Sequence, residues 1–390
     1  MSTQETESFR RNFEFARRVV VKIGTSILRR ADTGVDRACL RALAAQIAAI
    51  RQGPPRRQVV LISSGAVGFG MMHLGLSRRP SDVASLQATA AVGQPKLMQA
   101  WTDAFESHDV TVSQLLLTND GLQDRHRYLN AKNALTRVLD LGVVPIVNEN
   151  DTVAVEELTF GDNDKLSALV AAMLDADLLV ILTDVDGFYD PADSGAGRRV
   201  IRTVRSIRPE WIPAAARPNR SGRRGFTIGG ISAKLKAAQV ALSSGVPVVI
   251  ANGRTKDVLK SVLAGDPAGT LFLPSERALK GKKIWLSFFP ASAGEIVVDR
   301  GAAAALTKNG KRLLASGIVR VVGTFPRNGC VSVTTEDGRE IARGISFYSA
   351  EEVAAIAGNP SSAIRSRLHL SDKDDAPAEV IHRDDLAVMK

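Results

Sequence analysis

Short, nearly unbroken apolar runs recur along the chain: RVVVKI from Arg18, QVVLI from Gln58, VVPIV from Val143, DLLVIL from Asp177 and VPVVIA from Val246, with a looser one over Val110 to Leu117. Runs of this length without polar alternation predict strands buried on both faces. Between them, apolar positions fall at helical spacing over Asp36 to Gln52, Ala84 to Glu106, Tyr128 to Leu141 and Lys165 to Met173, with Gly93 and Pro95 expected to interrupt the second. Strands alternating with helices through short links predict an α/β fold, a three-layer α/β/α sandwich around a mostly parallel sheet. Gly269 to Phe272 is expected to close that sheet.

After Pro274 the pattern changes. Residues to Lys283 turn polar and basic, which reads as a linker. Short alternating runs then return, Gly317 to Gly323 and Gly338 to Ser346, with helical pieces at Gly301 to Lys308 and Ser349 to Ala357. That pattern predicts a small β-barrel-like module. The expected divisions are a mobile tail over 1–17, a first domain over 18–275, a linker over 276–283, a second domain over 284–370 and a loose tail over 371–390.

Composition agrees with two domains, because 390 residues exceed the roughly 250–300 at which single cores stop growing. The formal charge of +10, from 51 basic and 41 acidic residues, suits anionic partners such as nucleotides, phosphates or RNA. Two cysteines, Cys39 and Cys330, lie far apart without a CxxC, so neither a disulfide framework nor a thiolate zinc site is indicated. No apolar run reaches the roughly 18 residues of a membrane span, and the first residues lack the apolar core of a signal peptide. A cytoplasmic protein is expected.

The polar residues gather where the strands end, which is where α/β sheets keep their sites. Lys22-Ile-Gly24-Thr25-Ser26 is a small-residue loop carrying a lysine, able to offer backbone N–H groups and a point charge to phosphate. Read alone, it is equally an ordinary turn. Ser63-Ser64-Gly65-Ala66 is a second such loop. The nearby GAVGFG does not have the order of a dinucleotide site, and no G-x-x-x-x-G-K-[ST] loop occurs.

Two acid-and-amide clusters follow, Asn148 to Asp151 and Gly161 to Asp164. Asx residues cap helices, so Asn163 or Asp164 reads as the N-cap of the helix from Lys165. Two clusters at neighbouring element ends also suit a pocket for an ammonium-bearing ligand, metal-bound phosphates, or both. The acids of Thr183 to Pro191 fit either a metal or a turn. Arg198 to Arg224 is arginine-dense and reads as a solvated segment or as a lid on polyphosphate. Gly225 to Lys234, GFTIGGISAK, is a glycine-rich turn into a helix with an early lysine, the second phosphate-loop candidate. His73, His108 and His126 stand singly and read as surface or packing residues.

KIGTS at Lys22, SSGA at Ser63, AAVGQ at Ala90, NENDTV at Asn148, FGDNDKLSA at Phe160 and LTDVDGFYDP at Leu182, in this order, resemble the glutamate 5-kinases of the amino acid kinase family. The similarity runs from about Arg18 to Phe272. RLLASGIVRVVG from Arg312 and REIARGISFYS from Arg339 resemble the PUA domain that bacterial members carry. The resemblance implies transfer of the γ-phosphoryl of ATP, with Mg²⁺, to the side-chain carboxylate of L-glutamate, with feedback inhibition by L-proline.

Carried over by residue, the resemblance makes Lys22 and Lys234 flank the transferred phosphoryl, with Asp164 orienting them. Gly24, Thr183, Asp184, Gly229 and Gly230 hold the nucleotide, while Ser64, Gly65, Asn148, Asp151 and Asn163 hold glutamate; no metal ligand is assigned. It further implies a homo-oligomer formed through the kinase domain, and RNA contact by the PUA domain that is weak at best. The family's last loop commonly reads G-T-G-G-M-x-T-K. Here Ile228 and Ala233 stand where hydroxyls are usual, so Thr227 or Ser232 would have to replace those contacts. Two rivals remain at this point. One is a kinase for another acceptor, such as aspartate, N-acetylglutamate or a nucleoside monophosphate, and the other is a protein whose main task is RNA binding.

Overall fold

A computed structural model describes residues 3–30, 34–154, 162–190, 199–212, 230–274, 292–371 and 377–389, together with Lys283 and Leu286. The chain divides into two compact units, Met1–Ala278 and Leu279–Lys390.

In the first unit the apolar runs become strands β1 (Arg18–Ile23), β4 (Gln58–Ser63), β5 (Val112–Leu117), β6 (Val144–Glu149), β7 (Leu178–Thr183) and β9 (Val248–Asn252). The pairs β2 (Arg29–Arg30) with β3 (Gly34–Val35), and β8 (Thr203–Val204) with β10 (Thr270–Phe272), are shorter additions. Among the described residues the main sheet has the order β5-β6-β4-β1-β7-β9-β10-β8. From β5 to β9 every neighbouring pair is parallel, so all these strands end at one edge of the sheet. Closure differs from expectation. β10 runs antiparallel to β9, and β8 lies outside it as the edge strand, so Thr270–Phe272 does not end the sheet.

The helices are α1 (Thr3–Arg11), α2 (Thr25–Leu28), α3 (Arg37–Gln52), α4 (Ala66–His73), α5 (Val83–Glu106), α6 (Arg125–Asp140), α7 (Asp162–Met173), α8 (Ile231–Ser243) and α9 (Val258–Leu263). Side chains alternate between faces along a strand, and both faces here are apolar. Val19 and Val21 of β1 join Val59 and Leu61 of β4 in a core with Leu40, Leu43 and Ile47 of α3 and Trp101 and Phe105 of α5. On the other face Val20, Val60, Leu179 and Ile181 are as deeply buried, and α7 packs on β1.

α5 is one helix, not two. Pro95 lies inside it, where its missing N–H removes a hydrogen bond and normally breaks a helix. What overrides this is packing against α4. A Cβ added to Gly93 would stand 1.8 Å from the Ala66 carbonyl oxygen, and one added to Gly70 would stand 1.8 Å from that of Thr89. Both glycines are therefore close-approach residues that let the two helices touch backbone to backbone.

Residues 3–17 form no loose tail. α1 and a 3-10 turn (Asn12–Phe15) are docked: Phe13 is buried in the core, and Arg10 donates to the carbonyls of Arg202 (2.8 Å) and Asp266 (3.2 Å). In a segment dominated by charged residues, Phe13 and the partly buried Phe9 are the apolar anchors that pack into the core.

In the second unit β11 (Gly294–Val298), β12 (Ile318–Gly323), β13 (Cys330–Thr335), β14 (Glu340–Ile345) and β15 (Leu386–Val388) form a sheet of order β12-β11-β13-β14-β15, with α10 (Arg300–Asn309), α11 (Ala350–Ile356) and α12 (Ile364–Arg367). Ser349 caps α11 in a capping box with Glu352. β15 falls in the stretch expected to be loose. It pairs with β14, and Val380 and Ile381 are wholly buried, so residues 377–389 belong to the unit. Of the expected linker, only Lys283 lies among the described residues.

Candidate active site

The chain leaves β1 toward β4 on one side and β7 toward β9 on the other, so the ends of β1 and β7 meet at the point where the winding reverses. The two ends are tied together by the Gly24 N–H, which donates to the Leu182 carbonyl (3.1 Å). Lys22 is the penultimate residue of β1 and points into this region, 5% exposed.

Its Nζ lies 2.6 Å from Oδ1 of Asp164, whose Oδ2 lies 3.1 Å from Nζ of Lys234 on α8. One carboxylate thus bridges two ammonium groups, and all three side chains are buried. Burial raises the affinity of Asp164 for its proton, but the two ammonium groups and their hydrogen bonds outweigh it and hold the carboxyl below its ordinary value. Burial also pulls Lys22 below the ordinary lysine value; Asp164 opposes this and Lys234 adds to it. Asp164 is not the helix cap suggested by its type, because α7 already begins at Asp162 and Asn163 and Asp164 sit in its first turn. Their side chains are free for the site.

Beside this trio lies a chain of amides. The Glu149 backbone N–H donates to Oδ1 of Asn163 (3.2 Å), Nδ2 of Asn163 to Oδ1 of Asn148 (2.9 Å), and Nδ2 of Asn148 to Oε1 of Gln94 on α5 (2.7 Å). Glu149, buried, accepts from the Asn119 backbone N–H (3.3 Å). Ser64 and Gly65 connect β4 to α4. Gly65 has φ +125°, a conformation that favours glycine, and the Ser64 N–H donates to the Ile23 carbonyl (3.4 Å). Trp101 Nε1 donates to the neighbouring Ser63 hydroxyl (2.8 Å). Asp151 lies half-buried in the turn after β6.

At the end of β7, Thr183 is buried and its hydroxyl donates to the exposed Asp184 (3.1 Å), while Asn252 at the end of β9 donates to Asp186 (2.9 Å). Gly230 caps α8 and accepts from the Ala233 N–H (3.0 Å). Gly229, Thr227 and Ile228 lie outside the described residues, as do Arg198 and residues 213–224 of the arginine-dense stretch. Of the arginines that are described, Arg202 donates to the Pro267 carbonyl and Arg208 stacks 5.1 Å over Trp211. Both do structural work. Gln94, Glu149 and Asn119 were given no role from sequence; for Gln94 the available signal was its place in the AAVGQ motif.

A parallel sheet with two lysines closed on one buried carboxylate at its carboxyl edge has the charge and placement an α/β phosphotransferase needs. The amino acid kinase family model matches residues 17–252, and the PUA domain model residues 294–368. The chain belongs to the amino acid kinase family. It is similar to the glutamate 5-kinase of Geobacter sulfurreducens, 44% identical over 96% of this chain and 98% of that one. The glutamate 5-kinases of Geobacter sp. strain M21 and Pseudomonas entomophila are 45% and 43% identical, again over 96% of this chain and 98% of theirs. No helix among the described residues is long and apolar enough to cross a membrane.

Proposed function

We propose that this protein transfers the γ-phosphoryl group of ATP to the side-chain carboxylate of L-glutamate, giving glutamyl 5-phosphate for proline biosynthesis. The observation that carries the reading is the buried Lys22–Asp164–Lys234 trio at the strand ends. A carboxylate is already ionised near neutral pH, so the acceptor needs no general base. Catalysis reduces to alignment and to neutralising charge on the phosphoryl as it leaves ADP and bonds to the carboxylate oxygen. In this reading Lys22 and Lys234 supply that positive charge, and Asp164 keeps both ammonium groups aimed at one point. Gly24, Thr183, Asp184, Gly229 and Gly230 hold the nucleotide. Asp151 accepts from the substrate ammonium, Ser64 and the N–H groups near Gly65 donate to a carboxylate, and Asn148 and Asn163 complete the pocket.

Mg²⁺ belongs to the same reading. Mg²⁺ bound to a nucleoside triphosphate keeps several waters and needs only one or two protein carboxylates. The exposed Asp184 is of the right type to reach it, and the ion would screen charge between the β- and γ-phosphates. L-Proline shares the α-ammonium and α-carboxylate of glutamate, so inhibition through the region of Asp151 and Asn148 is its simplest route. A homo-oligomer through the kinase domain and weak, salt-sensitive RNA contact by the second unit complete the proposal.

The test is an acceptor panel with ATP and Mg²⁺, the acyl phosphate being trapped with hydroxylamine. Glutamate should give hydroxamate far faster than aspartate or N-acetylglutamate. Preference for either of those would overturn the acceptor assignment.

A further inference from the structure

We infer that Gln94 is a positioning residue for the amino-acid pocket, fixing which way the amides of Asn148 and Asn163 face. This rests on the proposed glutamate site. The amide chain has a polarity that its backbone end dictates. The Glu149 N–H can only donate, so Asn163 must present Oδ1 to it and turn Nδ2 outward. Asn148 must then accept with Oδ1 and donate with Nδ2, and that donor needs an acceptor. Gln94 Oε1 supplies it at 2.7 Å.

Without Gln94 only the single bond from Asn163 Nδ2 orients Asn148, and its own donor is left without the acceptor that favours this orientation over the flipped one. A flipped Asn148 would face its own NH₂ to that of Asn163, which the Glu149 N–H keeps in place, and would present the wrong group toward the ligand. Packing alone does not account for a glutamine here. Its Nε2 is buried without a hydrogen-bond partner among the described residues, a burden that leucine or methionine would not carry. Gln94 sits one residue after Gly93, at one of the two close backbone approaches between α5 and α4, which limits how far it can shift.

The experiment is steady-state kinetics on Gln94→Leu in the full chain, varying glutamate and ATP separately. The loss of one neutral hydrogen bond in the pocket predicts KM for glutamate raised about tenfold, with kcat within about threefold and KM for ATP unchanged. In an Asn148→Ala background the same substitution should add less than about twofold, because a residue acting only through Asn148 has nothing left to position. Unchanged KM for glutamate, or effects that multiply in the double variant, would overturn the inference. Gln94→Met, unbranched and of similar length, carries the same expectations if Gln94→Leu does not fold. Should the unaltered protein fail to phosphorylate glutamate, the acceptor reading falls by itself, and the same KM comparison is made on whichever acceptor it does use.

Discussion

Lys22 combines a buried position with a charge that the chemistry needs, and this has a pH signature. Its pKa lies below the ordinary 10.5, burial being the largest cause. As pH rises through that lowered value the ammonium becomes a neutral amine and can no longer offset phosphoryl charge. The profile of kcat/KM, which reports the free enzyme, should therefore fall on its alkaline side below 10.5. In Lys22→Arg, slower but permanently charged, that limb should move to higher pH. A limb that stays in place assigns the titration to another group. Asp164 makes the complementary case. Replacing it with Asn leaves two buried ammonium groups without their shared counter-charge, a loss of about 3–5 kcal/mol for a broken buried pair. A triphosphate can restore that negative charge, so saturating ATP should raise the melting temperature of Asp164→Asn more than that of the unaltered protein. Equal shifts would mean that nucleotide phosphates do not reach the trio. Lys22, Asp164 and Lys234 were all legible, the first at a strand end and the other two where polar or glycine-rich turns enter helices. Of the amide chain, Asn148 and Asn163 were legible too, but Gln94 was not, because it lies within a helical stretch and only its place in the AAVGQ motif marks it.

At the scale of elements, the strands were plain in the sequence because burial on both faces leaves unbroken apolar runs. Helix ends and interruptions were read less well, since local signals there compete with packing. Asn163 and Asp164 are the right types for a cap, yet the helix starts before them and their side chains turn to Asn148 and the lysines. Gly93 and Pro95 look like breakers, yet α5 runs through both because Gly93 meets the Ala66 carbonyl of α4. That contact makes a prediction. Gly93→Ala places a methyl where only 1.8 Å separates it from a backbone oxygen, which no rotamer can relieve, so α4 and α5 must separate. The cost should be at least the about 1–3 kcal/mol typical of overpacking, read as a lower melting temperature. Because α4 starts at Ala66, directly after Ser64 and Gly65, KM for glutamate should rise as well. A variant with unchanged melting temperature would show that the helices have slack the backbone distances deny.

For the whole molecule, both ends of the chain were read as loose because charge dominates them. The few apolar residues that decide the matter, Phe9 and Phe13 at one end and Val380, Ile381 and Leu386 at the other, are too sparse to form a pattern. The second unit has its own sheet and its own core, with Ile296, Val331, Val333, Tyr348 and Val353 buried within it. The first unit has a separate core around β1 and β4, and every residue assigned to the chemistry lies at or before Lys234. Each unit has a core of its own, which is the basis for expecting it to fold independently. A chain ending at Ala278 should be soluble, melt cooperatively and phosphorylate glutamate with kcat within roughly tenfold of the full protein. The N-terminal residues must be kept in that truncation, because Arg10 and Phe13 tie α1 and the 3-10 turn to the first unit. Insoluble or unfolded product would show that the first unit depends on the second for stability. A folded product that has lost its turnover would instead place part of the catalytic machinery beyond residue 278.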